Sequence, residues 1–344
     1  MKVGRVLPIL WFAVVSIAIA RGDVFNMGGT RDPVTGQWTG SASLEFVTVG
    51  DPRNAADTRV MNDGTSGYGA VSYTYQIGKY DITVAQDTSF LDAIGRTDPY
   101  HLGTDMPGIT RTGSSGSYSY NIVPGAENLP VGAVSWGSAV RFANWLENGQ
   151  PTGTLTGDPV ADAGLTEDGS YDLAGGAAAS IRKPGAKYVV PSESEWYKAA
   201  YYKGGSTNAG YWLYPTRSDS KPRNVLSATG TNNANYFDFY GTGTYSNPGT
   251  WLTEVGAFAA SPGPYGTFDM GGNVWEWNEA ISYYGAYAHR GLRGGAWDYF
   301  HSELRADERA FGGGGSTGFR VALVPEPASL VLLALSCLLV ARRR

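Results

Sequence analysis

Asp269-Met270-Gly271-Gly272-Asn273-Val274-Trp275-Glu276-Trp277 is the stretch from which the fold is read. Trp275 and Trp277 stand two residues apart with a carboxylate between them. Successive side chains of an extended segment point to opposite faces, so the two indoles share one side and Glu276 takes the other. Two readings of that carboxylate stay open. It is a buried, paired Glu in a core strand, or it stands among backbone carbonyls as a calcium ligand, since calcium prefers six to eight oxygens.

Working outward, three short helices carry their own punctuation. Thr83-Val84-Ala85-Gln86 has the form of a capping box, followed by Phe90, Leu91 and Ile94 and closed by Gly95. Ser135 opens a second helix with Val140, Phe142, Ala143, Trp145 and Leu146 before Gly149. Ser192-Glu193-Ser194-Glu195 caps a third, with Gly204 as its expected stop. On this reading the Glu193/Glu195 pair serves capping and first-turn charge rather than acid–base chemistry. Strands are expected over Leu44–Val49 and Val71–Ile77, where apolar and polar residues alternate. Gly153 to Lys183, rich in Gly, Ala, Asp and Thr, reads as a long surface excursion. The expected architecture is an irregular, loop-rich α+β single domain over residues 44–324, after a loose lead-in over 21–43.

The 344 residues are 17% charged and 13% aromatic with 48 glycines, which excludes a disordered chain and a helical bundle. A net charge of −5, with no basic run outside the tail, argues against nucleic acid as a partner. The single cysteine, Cys337, lies in the apolar tail, so residues 44–324 hold neither a disulfide nor a thiol. Lys2, Arg5, the apolar run Val6 to Ala20 and the small-x-small Ala18-Ile19-Ala20 read as an export signal over 1–20. At the other end, Pro325-Glu326-Pro327 precedes an apolar run from Ala328 to Ala341 and then Arg342-Arg343-Arg344. This order resembles the PEP-CTERM sorting signal of Gram-negative bacteria. The resemblance implies exosortase-type processing as a partner activity, membrane contact only through the terminal helix over 325–344, and delivery to the cell surface or an exopolysaccharide matrix.

Six blocks follow one another in order. They are Tyr75-Gln76-Ile77-Gly78-Lys79-Tyr80-Asp81-Ile82-Thr83, Leu129-Pro130-Val131-Gly132-Ala133-Val134-Ser135-Trp136, Val190-Pro191-Ser192-Glu193-Ser194-Glu195-Trp196, the stretch Asp269–Trp277, Arg293-Gly294-Gly295-Ala296-Trp297 and Gly318-Phe319-Arg320-Val321-Ala322. Together they resemble the formylglycine-generating enzyme (sulfatase-modifying factor) family, whose fold is related to that of C-type lectins. The resemblance implies one calcium site at Asp269, Gly272, Val274 and Glu276, with Gly272 and Val274 giving backbone carbonyls. It implies a second near Asn235, Tyr236, Asn247 and Gly249, where Asn247 replaces the family's usual aspartate.

The same resemblance implies where the chemistry fails. The family's enzyme oxidises a substrate cysteine with two cysteines that bind copper. Counted from Arg293-Gly294-Gly295, those positions fall on Tyr299 and Leu304, and a family serine falls on Ala296. Neither residue supplies the soft thiolate that Cu(I) selects, so formylglycine formation by that route is not expected. Copper and iron are not expected as cofactors; calcium is. No G-x-S-x-G elbow, phosphate loop or H-E-x-x-H helix is present.

The expectation is a non-catalytic, calcium-braced binding module, with surface exopolysaccharide as a candidate ligand for its many aromatics. Tyr211-Trp212-Leu213-Tyr214, Tyr236-Phe237-Asp238-Phe239-Tyr240 and Tyr283-Tyr284 are examples. The alternative is a metal-dependent oxidoreductase of altered chemistry on the same scaffold. Its candidates are His301 and Glu303, read as two ligands on one strand face, with Asp298 and Tyr299 nearby.

Overall fold

The computed structural model describes residues 24–26, 30–31, 38–39, 43–103, 106–239, 241 and 243–325. The export signal over 1–20 and all but Pro325 of the sorting segment lie outside them. No helix among the described residues is long and apolar enough to cross a membrane.

The three expected helices form where their caps place them. Helix α1 spans Val84–Ile94, with a Thr83–Gln86 capping box and Gly95 at its end. Helix α2 spans Trp136–Glu147, opened by the Ser135 side chain accepting from the Ser138 N–H. Helix α3 spans Glu193–Tyr201 under a Ser192–Glu195 capping box. It stops short of Gly204, because the backbone turns extended at Tyr202.

Two main sheets organise the rest. A five-stranded sheet runs in the order Val24–Asn26, Ser43–Val49, Tyr75–Gly78, Ala322–Leu323, Tyr188–Val189, with every pair antiparallel. A four-stranded sheet runs Ala310–Phe311, Tyr287–Arg293, Trp275–Tyr284, Thr317–Gly318, the last pair parallel. With these sheets, three α-helices and one π-helical turn over Ala163–Glu167 among the described residues, and long connecting loops, the chain is the irregular α+β fold expected.

Three boundaries differ from expectation. The second strand is only Tyr75–Gly78, since residues before Tyr75 have no ladder partner among the described residues. The lead-in is not wholly loose: Val24–Asn26 pairs with Ser43–Glu45 at the sheet edge. Gly153 to Lys183 is a surface excursion only in part: Val160 and Ile181 are exposed, whereas Leu155, Asp162, Glu167 and Tyr171 are buried in it. Its polar groups are satisfied inside. Asp162 accepts the Thr156 and Gly157 N–H groups, and Glu167 takes both Arg141 Nε and Nη2. A buried polar group with partners costs little, so polar composition does not keep the segment outside.

The core joins the two ends of the domain. Phe90 of α1 meets Phe142 and Trp145 of α2, and Phe142 meets Phe319 at 5.2 Å. Edge-on packing of this kind holds the C-terminal block against α2, which in turn packs on α1. The block that carries Arg320 is thereby delivered to the strand that carries Glu276.

Candidate functional site

Strand Trp275–Tyr284 sorts its side chains as the alternation requires. Glu276 points inward and is fully buried. Its Oε2 accepts from Trp196 Nε1 at 2.8 Å and from Arg320 Nε, and its Oε1 accepts from Arg320 Nη2 at 2.7 Å. Glu276 is thus buried and paired within a core strand, with Trp196 and Arg320 as its partners. Arg320 also binds Asp81 Oδ1 at 2.8 Å, and Asp269 stands close enough to feel both Arg320 and Glu276.

Three carboxylates against one guanidinium leave a formal surplus of two negative charges in the interior. Burial first, then Glu276, holds the Asp81 carboxyl well above the usual carboxylate range. Burial pushes Asp269 up to about 6, against the pull of the Gly256 N–H that it accepts at 2.6 Å. Asp81 Oδ2 is buried and has no hydrogen-bond partner.

That surplus would suit a divalent, oxygen-seeking ion. Three of the roughly four lone-pair positions of Glu276 are taken, leaving one on Oε1. Among the described residues no three His, Cys, Asp or Glu side chains are arranged to hold a metal. A cation would therefore draw on amide and main-chain oxygens, as both expected ligand sets do. In the second set, Asn235 Oδ1 is buried without a partner. Asn247 Nδ2 donates to Thr250 Oγ1 and Leu252 O, which leaves its Oδ1 free to accept. The two sets touch: the Asn273 N–H donates to Asn235 O, and Asn235 Nδ2 to Asn273 Oδ1. Gly272 makes that contact possible, with φ at +85° and a Cβ that would stand 2.1 Å from Asn235 O.

The other side of the strand opens on a cleft of about 310 Å³. Trp275, Leu292, Asp298, Tyr299, Phe311 and the run Gly313–Thr317 line it. The Tyr299 ring stands edge-on to Trp275, centroids 5.3 Å apart at 85°. Asp298 accepts from Ser316 Oγ at 2.9 Å across the cleft. Gly313 lies so close over Trp277 that a Cβ would meet the indole at 2.8 Å.

The positions singled out for chemistry part company here. Tyr299 is exposed at the cleft, whereas Leu304 is fully buried against Tyr214, Ala234 and Tyr236. Ala296 is buried as well. His301 and Glu303 do not share a strand face; residues 301–304 are turn. His301 Nδ1 lies 3.1 Å from Tyr214 OH, Glu303 accepts from Ser302 Oγ, and neither lines the cleft. Burial and then Lys221 hold the His301 pKa below its ordinary value. The aromatics divide too. Tyr211, Tyr214 and Tyr236 are core, while Tyr283, Tyr284, Phe239 and Trp251 are exposed.

The family description "Sulfatase-modifying factor enzyme 1-like domain" matches residues 55–324. The chain belongs to this family. A curated relative, the formylglycine-generating enzyme of Thermomonospora curvata, is 27% identical over 267 residues, which are 74% of this chain and 68% of that protein. Among solved structures, Treponema denticola variable protein 1 is similar with a TM-score of 0.51 at 17% identity. That match covers 88% of this chain and 99% of that one, and it shows the shared fold. Within the sulfatase-modifying factor family frame, the sequence reading missed Asp81 as a partner of Arg320. The Tyr-Asp-Ile-Thr block carried the residue, but no local signal tied it to an arginine 239 positions away.

Proposed function

We propose that this sulfatase-modifying factor domain is an exported, non-catalytic binding module whose ligand enters the Trp275–Tyr299 cleft. One observation carries the reading. At the two positions where the family resemblance places reactive cysteines, Tyr299 stands as a wall of the cleft and Leu304 is sealed in the core. An aromatic ring and an aliphatic side chain supply neither a nucleophile nor a soft metal ligand. The cleft nonetheless keeps what recognition uses: three aromatic rings, a carboxylate–hydroxyl pair and a glycine run that opens the backbone to contact. The PEP-CTERM-like terminus supports an address at the cell surface, where exopolysaccharide is the ligand at hand. Calcium held by the Asp269–Glu276 and Asn235–Gly249 loops would brace the wall behind the cleft.

The test pairs two assays on the full chain. Incubation with a cysteine-containing sulfatase peptide, with copper and oxygen supplied, yields no aldehyde. Surface polysaccharide retards the protein in affinity electrophoresis, and Tyr299→Ala weakens that retardation. Aldehyde formation above background would overturn the reading.

A further inference from the structure

Beside the cleft lies an aromatic surface that core packing does not account for. The exposed Trp251 lies flat on Trp297, centroids 5.2 Å apart and ring planes 6° from parallel. Tyr245 meets Trp297 at 5.4 Å and Phe237 at 4.8 Å, and Phe237 reaches the exposed Phe300 at 6.2 Å. Trp297, Asp298, Tyr299 and Phe300 are consecutive. The first and last belong to the aromatic surface and the middle two to the cleft, so the two features are one continuous face.

The charge of this face narrows its ligand. Residues 243–251, Gly-Thr-Tyr-Ser-Asn-Pro-Gly-Thr-Trp, contain neither acid nor base, and neither does the run from Phe311 to Gly318. Asp298 is the one charged side chain among the residues lining the cleft, and it engages Ser316. A polyanion is held by clustered cations, which these loops lack. A neutral polyhydroxylated chain asks for flat rings against its C–H faces and small hydroxyls and amides against its O–H groups, which these loops provide.

We propose that Trp251, its stacked partner Trp297 and the cleft form one extended surface for a linear, uncharged polysaccharide, a proposal that rests on the binding reading above. Trp251 is the outer stacking ring, and Asp298 with Ser316 makes the inner hydrogen bonds. Several sugar units are engaged at once, so affinity rises with chain length.

The full chain is run in affinity electrophoresis against neutral β-glucan, mannan and galactan and against alginate and polygalacturonate, with melting monitored for each variant. The expected result is retardation by a neutral polymer and stronger binding of longer oligomers. Trp251→Ala, at an exposed position, melts like the parent and weakens binding by about three- to tenfold. Trp251→Phe restores most of the loss, which a purely structural role would not predict. If Tyr299→Ala abolishes binding while Trp251→Ala changes nothing, the extended surface is overturned and the cleft reading survives. Binding to the acidic polymers alone overturns the ligand class. Retardation by none of the polymers overturns both.

Discussion

Arg320 grips both carboxylate oxygens of Glu276, Nε to Oε2 at 2.5 Å and Nη2 to Oε1 at 2.7 Å, with neither side chain exposed to solvent. The pair closes the domain, because Glu276 belongs to the central strand and Arg320 to its last block. Removing one member of a buried pair strands the other charge, at a cost of about 3–5 kcal/mol. Arg320→Ala is therefore expected to lose about that much in urea unfolding, since it orphans Asp81 as well. Glu276→Gln keeps the shape and should lose less. A loss below about 1 kcal/mol for Arg320→Ala would contradict the pairing.

Calcium chelation should lower the melting temperature, since an ion bound only by the folded state stabilises it by mass action. Glu276→Ala should remove part of the bound calcium and the associated shift. Elemental analysis showing unchanged calcium in that variant would remove Glu276 from the ligand set.

Gly272→Ala combines a left-handed φ of +85° with a Cβ at 2.1 Å from Asn235 O. Both effects act on the contact between the two loops, and strain of this kind costs roughly 1–3 kcal/mol before the clash is counted. A large drop in melting temperature is expected. Gly314→Ala, where nothing stands within 4 Å, serves as the tolerant control.

Tyr299 and Leu304 should behave oppositely. Leu304→Ala empties a buried site and is expected to cost about 2–5 kcal/mol. Tyr299→Ala, at an exposed position, should leave unfolding within about 1 kcal/mol of the parent and act on ligand binding instead. Equal destabilisation by the two would mean that Tyr299 is structural.

Asp87 on α1 supplies a pH dependence of its own. Burial alone pushes its carboxyl up to about 7, and its Oδ2 has no partner. The folded state therefore holds the proton more tightly than the unfolded state. Stability from this group is full below the unfolded value near 3.8 and is lost as pH rises through about 7. Asp87→Asn should consequently match the parent near the lower value and exceed it above the upper one. Urea unfolding across that window, with a gap that does not widen, would remove Asp87 as the cause.

The helices were legible because their signals are local: Thr83 with Gln86 and Ser192 with Glu195 fix their own first turns. The Asp269–Trp277 stretch was legible as alternation, which placed Glu276 opposite the two indoles. The buried part of the segment from Gly153 to Lys183 was not legible, because composition does not show that Arg141 and Tyr100 pair with Glu167 and Asp162. His301 and Glu303 were misread because a two-residue spacing implies a shared face only if the backbone is extended, and here it turns.

By itself, then, the sequence determined the three helix starts, the ordered blocks of the family and the absence of thiols from residues 44–324. Each is a matter of local dihedral preference or of which atoms are present. The tertiary structure alone decided that Glu276 meets Arg320 rather than solvent, that Leu304 faces the core and Tyr299 the cleft, and that Trp251 comes to rest on Trp297. Those partners lie apart along the chain, and only packing, which buries some rings and leaves others uncovered, sets which of them meet.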